Sequence, residues 1–292
     1  MISGLPGSAY INIMRKEKKM REHKFLNKHT IAGALLLMFG NFIVFNVIAG
    51  VIAGVIDMDK VGAGGIIGSI IALIIWFNFF KPEYKWKPEP GDWGRTFKLL
   101  LPVIGLWILL FGMFGVVAGG VPFGAIPLST ILMAIMAGAS EEVIFREIGI
   151  SYLARQWRDE NKVIPMALIP AVVFSLTHLT NFGTMSDIES LLTQVLLTVF
   201  FGIFFSAVYL RTGNVWPLII AHSLHDIMGF SASAGVAAMG VGEFPGWSTG
   251  YIIVIEAALA VCGLYMLRKS KRAEIIELWD RRWSRRDSAE ME

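Results

Sequence analysis

The chain has 292 residues, of which 55% are apolar and only 17% charged, with a formal net charge of +3. A soluble domain of this length carries about a quarter charged residues and cannot hide so much apolar surface. A soluble enzyme, a disordered chain and a disulfide-stapled module are excluded, since Cys262 is the single cysteine.

Runs of about 20 apolar residues mark helices long enough to cross hydrocarbon. Eight are predicted, at 30–56, 61–80, 99–121, 124–153, 163–179, 191–210, 215–230 and 249–267. The first, at 27 residues, is too long for the apolar region of a signal peptide and reads as a retained span. Residues 81–98 mix Tyr84, Trp86 and Trp93 with Lys and Pro, which suits the headgroup layer. The expected organisation is a basic arm (1–29), one membrane domain (30–267) whose chemistry-bearing core is 124–230, and a basic amphipathic tail (268–292).

The cationic residues divide sharply by side. Seven Lys and Arg fall in the arm, five between the second and third spans, three after the fourth, Arg211 after the sixth, and eight in the tail. The opposite side holds Lys60 alone, with Arg146 inside a span. The positive-inside rule then predicts an all-α, multi-pass protein of the cell membrane with both termini cytoplasmic. The tail sets Ile275, Ile276, Leu278, Trp279 and Trp283 among Arg and Glu. It is expected to lie on anionic lipid as a basic amphipathic helix.

A charged group inside a span costs about 2.5–3.5 kcal/mol on insertion scales, so each one needs a reason. The fourth span carries Glu141, Glu142, Arg146 and Glu147. Glu142 and Arg146, four apart, share a helix face and read as a structural ion pair. Glu141, about 100° round the helix, is left without a cation on its own helix and suits a general base. Three of the five histidines also lie in spans: His178 in the fifth, His222 and His225 in the seventh. Asp226 lies one turn after His222. Glu141, His178, His222 and Asp226 are therefore expected to converge on one buried water. Glu147 is expected to reach the cytoplasmic interface, His225 to be a bystander, and Glu256 to be a packing residue.

Other intramembrane chemistries lack their residues. There is no His-Glu-x-x-His and no Gly-x-Gly-Asp. Gly138-Ala139-Ser140 is followed by Glu141 where a serine-type site has Gly. There is no phosphate or dinucleotide loop, and the basic patches sit beside the membrane, so nucleic acid is not an expected partner.

Glu141-Glu142-Val143-Ile144-Phe145-Arg146 resembles the Glu-Glu-x-x-x-Arg motif of the CAAX prenyl endopeptidase type II family, also called the CAAX protease and bacteriocin-processing family. Phe174-Ser175-Leu176-Thr177-His178 is similar to its Phe-x-x-x-His motif, and His222-Ser223-Leu224-His225-Asp226 to its His-x-x-x-Asn/Asp motif. The three stand in order in separate spans, and the resemblance covers roughly 126–230. It implies an intramembrane endopeptidase acting on a membrane-anchored or prenylated peptide. In that reading Glu141 and His178 activate water, His222 and Asp226 stabilise the oxyanion, and Glu142 and Arg146 support the geometry. Asp226 departs from the Asn of the pattern. It donates a hydrogen bond only when protonated; otherwise it orients His222, the role its spacing favours. The resemblance fits a mechanism without metal, with Zn²⁺ as the alternative for two His and two acids. Two other classes use the same residue types: a proton- or ion-coupled transporter, and a silent bacteriocin-immunity or scaffold protein.

Overall fold

In the computed structural model, residues 28–56, 70, 74, 90–183, 187–240 and 245–289 are described. All regular structure among them is helical. The expected second span lies outside the described residues apart from Ile70 and Ile74, as does the arm before residue 28.

Helix α1 is Thr30–Ile56 and α2 is Pro90–Ala118. The segment 90–98, expected at the headgroups, thus forms the first turns of α2. Helix α3 runs over Leu128–Gln156, but its middle, Glu142–Ile150, is a π-helix. Helix α4 is Val163–Thr177 and tightens into a 3₁₀ turn at His178–Gly183. Helices α5 (Ile188–Thr212), α6 (Trp216–Ala238), α7 (Trp247–Met266) and α8 (Lys269–Ala289) follow.

Six of these segments are long and apolar enough to cross a membrane: those of α1, α2, α3, α4, α5 and α7. The chain is a helical membrane protein. The expected seventh span exists as α6, 23 residues long, but it is not among the six. Its His222, His225 and Asp226, with the Ala, Ser and Gly of its second half, dilute its apolar content. Outward faces are apolar: Leu36, Ile43 and Val47 on α1, Leu101 and Ile108 on α2, and Val254 and Val261 on α7 are exposed. Such rings of apolar surface are stable in lipid, where helices satisfy their own backbone.

Helix α5 is central, packing along α4 on one side and α7 on another, while α3 runs along α6. Small residues set these approaches. A Cβ at Gly138 on α3 would stand 2.8 Å from Ser223 N on α6. One at Gly202 on α5 would stand 3.0 Å from the Cβ of Ala171 on α4. The first contact presses the start of the acidic cluster against the helix bearing His222. The second draws in the helix that ends at His178.

The caps follow sequence. Asp187 accepts from Ser190 N at 2.7 Å and starts α5. Gly213, at φ 60°, ends it in the left-handed conformation that glycine adopts at little cost. Arg282 of α8 completes this end, donating to Thr212 O at 3.0 Å and Gly213 O at 2.8 Å. Trp279 of α8 donates to Leu210 O at 3.1 Å, and both it and Ile275 are buried against protein. The apolar side of the tail, expected on lipid, is thus turned inward, while Lys269 and Arg281 remain exposed.

Candidate active site

The acidic cluster sits where α3 changes from α to π geometry: Glu141 closes the α segment and Glu142 opens the π segment. π turns inside helices recur at functional sites, because the widened turn re-aims side chains. Here the two adjacent carboxylates acquire different surroundings. The Glu142 side chain is fully enclosed, whereas that of Glu141 retains 21% of its exposure and that of Asp226 24%. Only the latter two carboxylates are open to an incoming molecule.

Glu142 Oε1 lies 3.1 Å from Arg146 Nη1, so the predicted i,i+4 pair is formed and wholly buried. The Arg146 guanidinium lies 4.8 Å from the Phe174 ring centre and 5.9 Å from that of Phe205. A planar, weakly hydrated cation suits this apolar slot. The same Glu142 Oε1 accepts from His222 Nδ1 at 2.8 Å. His222 is therefore oriented by Glu142, a residue of another helix. Asp226, expected to do this, stands on the other side of the ring, Oδ2 3.8 Å from Nε2, beyond hydrogen-bond range.

Glu141 Oε2 also faces His222 Nε2, at 3.6 Å. With Nδ1 donating to Glu142, Nε2 looks at two acidic groups. A lone pair there would face oxygen lone pairs, so this side of the ring holds a proton, on nitrogen or on a carboxyl oxygen.

His178 begins the 3₁₀ turn after α4, half-buried. Its Nδ1 lies 3.1 Å from Phe174 O. A carbonyl only accepts, so Nδ1 carries the proton and Nε2 presents a lone pair. Among the described residues His178 makes no hydrogen bond to Glu141. The Phe174 ring joins the two parts of the site, edge-on to His178 at 4.9 Å and to His222 at 6.1 Å. The structure thus gathers Glu141, Glu142, Arg146, His222 and Asp226 directly, and sets His178 beside them across one phenyl ring.

One neighbour departs from expectation. Glu147 does not reach an interface: it is 2% exposed and accepts from Tyr209 Oη of α5 at 2.6 Å. His225 is bonded to Trp107 of α2, Nε1 to Nδ1 at 3.1 Å. Trp107 is absent from the sequence-based site. Its one signal is position: a tryptophan far from either end of an apolar span, where its N–H needs a partner. Among the described residues no three His, Cys, Asp or Glu side chains are grouped as a metal ion requires.

Fold and site together define a helical membrane protein whose carboxylates and imidazoles meet between its helices. Comparison narrows the class: residues 107–228 match the sequence profile of the family described as "Type II CAAX prenyl endopeptidase Rce1-like". The three expected motifs all lie within the matched segment, and the family is one of intramembrane proteases. No curated protein and no solved structure matches the chain.

Proposed function

We propose that the protein is an intramembrane endopeptidase that hydrolyses a peptide bond in a membrane-anchored or prenylated, CAAX-type peptide. The observation that carries this reading is the asymmetric pair of acids. Glu142 is enclosed and holds His222, while Glu141, its neighbour in sequence, is open and faces the same imidazole 3.6 Å away.

Glu141 takes a proton from water, and His178 Nε2 accepts the water's second hydrogen and fixes its direction. The water oxygen attacks the scissile carbonyl carbon. His222 Nε2–H donates to the oxyanion, with Asp226 supporting positive charge on that ring. Glu141 then delivers its proton to the leaving nitrogen as the C–N bond breaks, giving an amine and a carboxyl terminus. Glu142 and Arg146 hold His222 in place. No step is assigned to a metal ion; a Zn²⁺-dependent hydrolysis is the competing mechanism.

The charge distribution supports a cell-membrane location with cytoplasmic termini, and substrate entering from lipid or the cytoplasmic face. Exposed Lys269 and Arg281 suit contact with anionic lipid.

Purified full-length protein, incubated with a library of membrane peptides with and without chelator, tests the reading. Chelator-insensitive cleavage that Glu141→Ala abolishes is expected. Full cleavage by Glu141→Ala removes the general base, and chelator-sensitive cleavage replaces the mechanism with the metal one. Glu141-dependent ion flux without cleavage makes the protein a transporter.

A further inference from the structure

His225, one turn along α6 from His222, has surroundings that decide which nitrogen carries its proton. Trp107 Nε1 lies 3.1 Å from His225 Nδ1. An indole N–H only donates, so Nδ1 must offer its lone pair. A neutral ring in that state carries its hydrogen on Nε2. A doubly protonated ring would set donor against donor and lose the bond. Trp107 therefore selects a neutral imidazole with an Nε2–H.

The other two imidazoles take the opposite form. His178 and His222 both donate from Nδ1, to Phe174 O and to Glu142. His225 alone presents a neutral N–H at Nε2, and among the described residues that nitrogen has no hydrogen-bond partner. Its ring is tied to the site: the Phe201 ring centre lies 5.0 Å from His225 and 5.0 Å from His222.

The next residue explains what such a donor supplies. Asp226 stands where an Asn would offer an N–H, and a carboxylate only accepts. Oxyanion stabilisation gains most from donors fixed before charge develops.

We infer that His225 Nε2–H is a second donor to the oxyanion, replacing the N–H that Asp226 lacks, and that Trp107 is the positioning residue that keeps this donor neutral and correctly protonated. This rests on the peptidase reading. No proton leaves His225 in the reaction; it donates a hydrogen bond that strengthens as the carbonyl oxygen becomes negative.

The experiment compares wild type, His225→Phe, His225→Gln and Trp107→Phe as full-length protein in lipid nanodiscs. One readout is cleavage of the membrane peptide found above. The other is the ¹⁵N spectrum of labelled histidine, with His225 assigned by its loss in the Phe variant. His225→Phe keeps the ring packing and is expected to lower kcat by about 10²–10³-fold with KM little changed. His225→Gln, whose amide accepts from Trp107 and donates beyond, recovers at least about tenfold of that loss. Trp107→Phe lowers kcat and shifts the His225 signal away from the pure Nε2–H form. An unchanged kcat in His225→Phe, equal losses in the Phe and Gln variants, or a wild-type signal showing hydrogen on Nδ1 each overturn the inference. Wild type that cleaves no peptide overturns the peptidase reading instead, and the spectrum still decides the form of His225.

Discussion

The imidazole of His222 donates from Nδ1 to Glu142 at 2.8 Å, and its opposite nitrogen faces Glu141 at 3.6 Å. Two carboxylates adjacent in sequence thus face one ring from its two ends. The enclosed one fixes direction, and the open one shares the ring's reactive edge. Mutation should separate these roles.

Glu141→Gln is expected to lower cleavage by about 10²–10⁴-fold, the usual worth of a general base, and to leave the unfolding midpoint unchanged. Glu142→Gln should lower both. It strands Arg146, which is 0% exposed, and losing one member of such a buried pair costs about 3–5 kcal/mol. Cleavage assays beside thermal unfolding in detergent check the contrast. Equal midpoints for the two variants would refute it.

The closeness of α3 and α6 rests on Gly138, where a Cβ would lie 2.8 Å from Ser223 N. Gly138→Val should force the helices apart and move His222 away from both acids. Overpacking of this kind costs about 1–3 kcal/mol, and the loss of cleavage should exceed what that instability explains. Activity measured well below the variant's midpoint is the check; wild-type turnover there would show that the approach is dispensable.

Tyr209 joins α5 to α3 through its hydroxyl on Glu147, 2.6 Å away and buried. Tyr209→Phe keeps the ring and removes the donor, at an expected cost of about 1–3 kcal/mol. Chemical denaturation in mixed micelles reads this directly. The turnover number should stay within a few-fold of wild type, since neither residue belongs to the reacting group.

Two residues further along α5, Arg211 faces Glu274 of α8 at 3.4 Å, and Arg95 pairs with the same carboxylate. Partial burial of Glu274 pushes the carboxyl upward, but Arg211 and then Arg95 outweigh this and hold it below the ordinary carboxylate range. A depressed value stabilises the folded state at pH above the unfolded carboxylate value. That contribution is lost as pH falls through the folded one. Unfolding midpoints of wild type and Glu274→Gln should therefore converge in acid and diverge towards neutral pH. Parallel curves would mean the contact contributes nothing.

Much of this was legible in the chain, for identifiable reasons. Apolar runs located the helices because lipid tolerates little else, and the Glu142–Arg146 pair followed from helical spacing alone. The partner of His222 did not. Spacing favoured Asp226, four residues on, whereas the bond goes to Glu142 on a different helix, and no local periodicity encodes a contact 80 residues away. The Trp107–His225 bond, 118 residues apart, was hidden for the same reason. Helix α6 extends past Phe230 because its Ala, Ser and Gly pack closely on neighbours, although a hydropathy scan reads them as a loop. The π segment has no compositional mark at all.

That segment makes α3 intolerant of length change. From Glu142 to Ile150 the backbone bonds reach five residues back instead of four, so each turn there holds extra chain. Deleting a single residue within it while the five-back bonds persist would rotate everything upstream by about one residue's step, somewhat under 100°, relative to everything downstream. Glu141 would then swing off the face of His222 while the Tyr209 tether stayed put. The phasing of one helix, more than the identity of any side chain along it, decides whether the two halves of this centre can meet.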